Sequence, residues 1–105
     1  MATIENPILR RFRTALNKVY GDQVERVVLF GSRARGDARP DSDYDVAVFF
    51  KKLASFDKEA QLIAEIEVDI LNDTGAVINA MPFSVGAYDR RTGLMQELRR
   101  EGLDL

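Results

Sequence analysis

No cysteine occurs among the 105 residues, which excludes disulfides and thiolate metal sites. Histidine is absent as well, so the commonest general base and the commonest zinc ligand are both missing. Whatever chemistry the chain supports runs on carboxylates, hydroxyls, lysines, arginines or a bound metal. Positive charge is not in surplus either. Fifteen basic against 17 acidic side chains give a net charge of −2, and no bulk field exists to hold a long nucleic acid. That argues against a template-reading polymerase and against polymeric nucleic acid as a direct partner. No apolar run approaches membrane-spanning length, and the opening MATIENPILRRF has no apolar signal core. No membrane association is expected, and the cytoplasm is the default location.

What is present describes one globular domain over residues 1–105, with 46% hydrophobic and 30% charged residues. Residues near Asn6 to Tyr20 predict an amphipathic helix, capped by Asn6 with Pro7 at its first position. Ile8, Leu9, Phe12, Leu16, Val19 and Tyr20 form its core-facing stripe. Gly21-Asp22 ends it, and Gln23 to Phe30 reads as the first strand. After a second strand ending at Phe50, Ser55 caps a helix whose stripe is Phe56, Ala60, Ile63, Ile66 and Ile70, widened by Leu62 and Leu71. Thr74-Gly75 stops that helix. Ala76 to Phe83 reads as a third strand, with Pro82 demoting its far end to an edge or bulge. A short helical piece from Val85 to Arg91 and a final helix from Leu94 to Glu101 follow. The order α-β-(α)-β-α-β-α predicts an α/β (α+β) domain: a small mixed β-sheet with helices packed on it. The pattern does not fix the strand directions.

The chain is organised around VERVVLFGSRARGDARPDSDYDVAVFF, residues 24–50. Two β-branched and aromatic runs, Val27-Val28-Leu29-Phe30 and Val46-Ala47-Val48-Phe49-Phe50, read as buried strands bounded by polar residues. Gly31 lets the backbone take an unusual φ and lets a bulky ligand approach. Ser32 starts a helical turn, Arg33-Ala34-Arg35, whose free amides and hydroxyl suit an anion. Arg33, Arg35 and Arg39 divide between surface charge, pairing with Asp37 or Asp41, and phosphate contact; Arg33 and Arg35 are the secondary phosphate candidates. Asp43 and Asp45 lie two apart at a strand start, on one face, with Cα atoms about 6.6 Å apart at roughly 3.3 Å per residue. Paired carboxylates repel, and a divalent cation between them removes the conflict; Mg²⁺ held by one or two carboxylates plus substrate phosphates is the usual form. Tyr44, on the opposite face, can enter the core. A phosphate grip and a metal grip at adjacent strand ends make a site for a nucleoside triphosphate, and the chemistry it supports is nucleotidyl transfer.

At these residues the sequence resembles the DNA polymerase beta-like nucleotidyltransferases, whose signature is Gly31-Ser32, ten residues, then Asp43-x-Asp45. The fuller string GSRARG…SDYDVAV is most similar to the small stand-alone minimal nucleotidyltransferase (MNT) proteins of prokaryotes. The resemblance implies the polymerase beta-like nucleotidyltransferase fold, with Gly31 and Ser32 holding the triphosphate and Asp43 and Asp45 binding catalytic Mg²⁺. It implies transfer of AMP from ATP to an acceptor hydroxyl. With no second domain in these residues to hold an acceptor, the acceptor comes from another molecule. MNT proteins are typically paired with a helical HEPN-type RNase toxin, so an antitoxin that adenylylates a partner tyrosine is the implied role. Homo- and hetero-oligomers both remain open.

The sequence departs from the family at one place. Competent members carry a third carboxylate on a later strand, whereas Ala76-Val77-Ile78-Asn79-Ala80-Met81-Pro82-Phe83 contains no acid. Asn79 stands nearest the expected position; its amide oxygen can ligate Mg²⁺ but brings no charge and cannot act as a base. Asp69 and Asp73 lie on or just after the preceding helix, where solvated positions are ordinary. The alternative is therefore a non-catalytic nucleotide-binding or interaction module that neutralises a partner by binding. The apolar residues Met81, Phe83, Tyr88, Leu94, Met95, Leu98, Leu103 and Leu105 would serve that role, or would simply cover the sheet.

Overall fold

The computed structural model describes residues 6–105, and the MATIE that opens the N-terminal stretch lies outside the described residues. Helix α1, Pro7–Tyr20, begins where Asn6 Oδ1 accepts from the amides of Ile8 (2.8 Å) and Leu9 (3.2 Å), satisfying two donors that a helix start leaves free. Leu9, Phe12, Leu16 and Tyr20, spaced by three and four, are its buried face. Val19 was expected in that stripe but is 50% exposed. It lies off the Leu16–Tyr20 line on the helix's last turn, where the buried face has already been filled.

Strand β1, Val24–Phe30, and strand β2, Tyr44–Phe50, pair antiparallel around a four-residue helix α2, Ser32–Arg35. Helix α3, Phe56–Thr74, is capped by Ser55, whose hydroxyl accepts from the Lys58 amide at 3.3 Å, and is closed by Gly75 at φ +78°. It carries the chain to β3, Ile78–Ser84, which lies parallel to β2. Phe56 is the first residue of α3 and is 57% exposed; it precedes the turn that reaches the sheet, so it does not join the core as expected. A 3₁₀ segment, Val85–Asp89, replaces the longer helical piece expected to Arg91. Helix α4, Gly93–Glu101, capped by Thr92, leads into β4, Leu103–Asp104. The sequence pattern did not predict β4, which pairs antiparallel with Val28 and Leu29 of β1.

The strand order is β3-β2-β1-β4. Central β2 is covered on both faces, which is why Val46 to Phe50 reads as an unbroken apolar run. Tyr44, Val46, Val48 and Phe50 face α1 and α3 in the larger core, with Ile63, Ile66 and Ile70. Ala47 and Phe49 face Met95, Leu98 and Ala87 in a smaller core. Full burial of side chains such as Phe12, Phe49 and Ile63 stabilises by about 1.5–3 kcal/mol each. Of the C-terminal apolar residues, Phe83, Tyr88 and Leu94 pack on the smaller core and Leu105 on the larger, while Met81 and Leu103 stay exposed. Covering the sheet is thus the work of most of them. Arg11 pairs with Asp73 at 2.6 Å and Tyr20 donates to Glu59 at 3.2 Å, tying both ends of α1 to α3.

Candidate active site

The antiparallel register sets Phe30 opposite Asp45, so the Gly31 corner that follows β1 stands beside the start of β2. Gly31 has φ +76°, and a Cβ placed on it would stand 2.6 Å from Asp45 Oδ2. Glycine is required twice, by the dihedral and by the space. The Gly31 carbonyl accepts from the amides of Ala34 and Arg35, both at 3.1 Å. Helix geometry therefore leaves the preceding amides, those of Ser32 and Arg33, at the mouth of the turn.

Asp43 is exposed and Asp45 half-buried, while Tyr44 between them is buried on the opposite face. The Tyr44 hydroxyl accepts from Asn6 Nδ2 at 3.2 Å. The parallel register of β2 and β3 puts Asn79 directly opposite Asp45, and Asn79 Nδ2 donates to Asp43 Oδ2 at 2.9 Å. Asp45 is thus flanked by Gly31 on one side and Asn79 on the other. The structure therefore gathers Gly31, Asp43, Asp45 and Asn79 at neighbouring strand ends, with Ser32 next in the chain.

The arginines are placed differently. Arg33 donates from Nε (3.1 Å) and Nη2 (2.7 Å) to the Ser42 carbonyl and from Nη2 to the Pro40 carbonyl (3.1 Å). Its guanidinium also lies 4.1 Å from the centre of the Tyr44 ring. Arg33 thereby clamps the connection into Asp43, with Nε and Nη2 already engaged. Arg35 pairs with Asp37 at 3.3 Å and with Glu101 of α4 at 3.7 Å. The hydrogen bond and charge of Asp37 hold its pKa above the ordinary arginine value. The Arg39 amide donates to Ser42 Oγ at 2.9 Å, closing the turn before Asp43. Asp73 is occupied by Arg11, and neither Asp69 nor Asp73 joins the aspartate pair.

Among the described residues, none of the arginine and lysine ion pairs involves Asp43 or Asp45, and no cluster of three or more acids, histidines or cysteines could hold a metal. Two carboxylates and the amide oxygen of Asn79 are hard oxygen donors with uncompensated negative charge. That set fits one Mg²⁺ whose remaining positions go to water and phosphate oxygens. One further acid, Glu67 on α3, is half-buried beside β3. Burial raises its pKa, partly offset by the backbone amide of Ala80. Its only sequence signal is its place one residue after the buried Ile66.

Residues 14–82 match the model of the family described as Polymerase beta, Nucleotidyltransferase. Two Methanocaldococcus jannaschii relatives are each named as a candidate protein adenylyltransferase. One is 39% identical over 59 residues, covering 56% of this chain and 59% of the relative. The other is 28% identical over 87 residues, covering 83% and 81%. The match to the first thus spans little more than half of that relative's length. Among solved structures, a candidate minimal nucleotidyltransferase is 25% identical with a TM-score of 0.60, covering 98% of this chain and 100% of that one. A toxin–antitoxin complex with AMP-PNP gives 19% identity and a TM-score of 0.64, over 90% and 69%. A complex of tri-AMPylated Shewanella oneidensis HEPN toxin with MNT antitoxin gives 13% and 0.55, over 92% and 70%. These last two show a shared fold. With α3, β1, β2 and most of β3 inside one family match, the chain belongs to the polymerase beta nucleotidyltransferase family.

Proposed function

We propose that the chain is a Mg²⁺-dependent nucleotidyltransferase that moves AMP from ATP to a hydroxyl of a partner protein. The observation that carries this reading is the Gly31–Asp45 contact, where a missing Cβ brings the anion-binding turn against the metal-binding carboxylates. Asp43 and Asp45 would hold Mg²⁺, which when bound neutralises charge at the transferring phosphorus. The Ser32 hydroxyl and the amides of Ser32 and Arg33 receive phosphate oxygens. Arg33 fixes the approach to Asp43 through the Pro40 and Ser42 carbonyls, and Asn79 orients the Asp43 carboxylate. The acceptor oxygen forms a bond to the α-phosphorus, the bond to the bridging oxygen breaks, pyrophosphate leaves, and the acceptor proton passes to a carboxylate or solvent. The two candidate adenylyltransferase relatives support AMP as the transferred group, and the tri-AMPylated HEPN toxin of a neighbouring complex supports a HEPN-type toxin as the partner. Among the described residues no helix is long and apolar enough to cross a membrane; on this reading the chain works in the cytoplasm, where ATP is.

Incubation with ATP, Mg²⁺ and the partner should add AMP, read by mass spectrometry. Retention of transfer by both Asp43→Asn and Asp45→Asn would remove the site assignment. Asn79 favours a second reading, because it occupies the register position opposite Asp45 without a charge. On that reading the site holds nucleotide and one metal, and the protein silences its partner by binding. Calorimetry showing ATP·Mg²⁺ bound, with no AMP added to the partner, selects it.

A further inference from the structure

Helix α3 carries a second stripe, separate from its core face. Ala64, Glu67, Val68 and Leu71 repeat at i, i+3, i+4 and i+7, and with Val77 and Asn79 they line a groove of about 160 Å³ between α3 and β3. Val68 is 51% and Leu71 43% exposed, although both are large and apolar. Asn79 at the groove's end is the same residue that bonds Asp43, so the groove opens beside the proposed site.

Two observations choose its occupant. The first concerns β3, the sheet's edge strand. Tyr44 donates to the Val77 carbonyl at 2.9 Å, which fixes the parallel alternation: Asn79, Met81 and Phe83 turn their amides to β2, and Ile78, Ala80 and Ser84 turn theirs to the open edge. On that edge Pro82 has no amide to offer, so the run of outward donors is broken near its centre and the edge is a poor template for an added strand. The second is charge. Helix α3 carries six acids and Lys58 as its one base, with Glu65 beside the stripe and Glu67 within it. A cation arriving over half-buried Glu67 offsets the cost of its desolvation.

We propose that this groove docks a basic amphipathic helix of the acceptor protein, delivering the acceptor to the Asp43–Asp45–Asn79 face. The docking role rests on the adenylyl-transfer reading of that site; the choice of a helix over a strand does not. The test titrates the ¹⁵N-labelled full chain with three synthetic peptides of about 18 residues, long enough to sustain a helix: a leucine/lysine amphipathic helix, its leucine/glutamate counterpart and an alternating valine/threonine strand former. The leucine/lysine peptide should shift amides of Ala64 to Leu71 and Val77 to Asn79. Val68→Lys, at an exposed position, should weaken it roughly tenfold, about 1.4 kcal/mol. Equal shifts with the leucine/glutamate peptide, docking of the strand former on β3, or shifts scattered elsewhere would overturn the proposal. So would sedimentation showing self-association that Val68→Lys abolishes, since a second copy would then be the occupant. Calorimetry with ATP·Mg²⁺ separates the two readings: Val68→Lys should bind nucleotide normally, and Asp45→Asn should lose nucleotide but keep the peptide.

Discussion

Between β1 and β2, Gly31 and Asp45 leave no room for a side chain; between β2 and β3, Asn79 reaches across and donates to Asp43. The first boundary needs one residue type and one dihedral, and the family's signature is intact there. The second has a polar side chain where competent members, by the resemblance, place a charged one. Holding a triphosphate and activating an acceptor are different demands, and the proposed function assigns them to different strand boundaries. A chain can keep the first while the second changes, and each half can be perturbed alone.

The largest effect is expected at the residue both boundaries share. On the proposed function Asp45→Asn removes one of the two charges assigned to Mg²⁺, and transfer should fall by about two orders of magnitude or more, as for loss of a group that stabilises transition-state charge. The same change relieves like-charge repulsion with Asp43, so the melting temperature without ligand should hold or rise slightly. A fall in both would mean that Asp45 serves folding rather than the site. Gly31→Ala comes next. The added Cβ meets Asp45 Oδ2 at 2.6 Å, and the backbone at φ +76°, ψ −157° lies in a region essentially reserved to glycine, at a cost of about 1–3 kcal/mol for a residue with a Cβ. Calorimetric ATP·Mg²⁺ affinity should drop at least about tenfold, with a melting temperature lower by roughly 4–8 °C per kcal/mol in a domain of this size. Unchanged nucleotide affinity would break the first half of the comparison.

Asn79→Asp sharpens the second half. It supplies a third carboxylate opposite Asp45 and removes the amide that donates to Asp43. Without metal the variant should be less stable by about 1 kcal/mol, the worth of one hydrogen bond. With Mg²⁺ that deficit should disappear, because a ligand bound only by the folded state stabilises it. Transfer to the partner should rise about tenfold. A variant that stays destabilised in Mg²⁺ would show that β3 is not part of the metal site.

Much of this was legible in the residues, for reasons that are local. Asn6 and Ser55 cap helices because their side-chain oxygens reach amides two or three residues ahead. Asp43 and Asp45 share a face because strand side chains alternate. What could not be read depends on distant partners. Strand β4 is two residues long and exists because α4 ends beside β1. Arg33 looks like a phosphate ligand from its place after Gly31-Ser32, yet the folded loop returns the Pro40 and Ser42 carbonyls and the Tyr44 ring to it. Val19, Phe56 and Leu71 fit a helical period, but the sheet leaves all three outside its cover. The Gly31–Asp45 proximity follows from an antiparallel register that no pattern of apolar residues specifies.

The smallest effect tests whether the β3 side is merely uncharged or carries its charge elsewhere. Glu67 lies beside that strand, its pKa raised by burial, with the Ala80 amide opposing the shift. A raised folded-state pKa means that the folded protein binds the proton more tightly than the unfolded chain. This contribution to stability is therefore full below the ordinary glutamate value of about 4.3 and is lost as pH rises through the higher folded value. Glu67→Gln cannot ionise, so its stability should lack that decline, and above the window it should exceed the parent protein by a few tenths of a kcal/mol, discounted because the side chain is half in water. Chemical denaturation across that range reads the difference. If the parent and Glu67→Gln curves stay parallel, the carboxylate is as well solvated in the fold as in the open chain, and the β3 edge owes nothing to it.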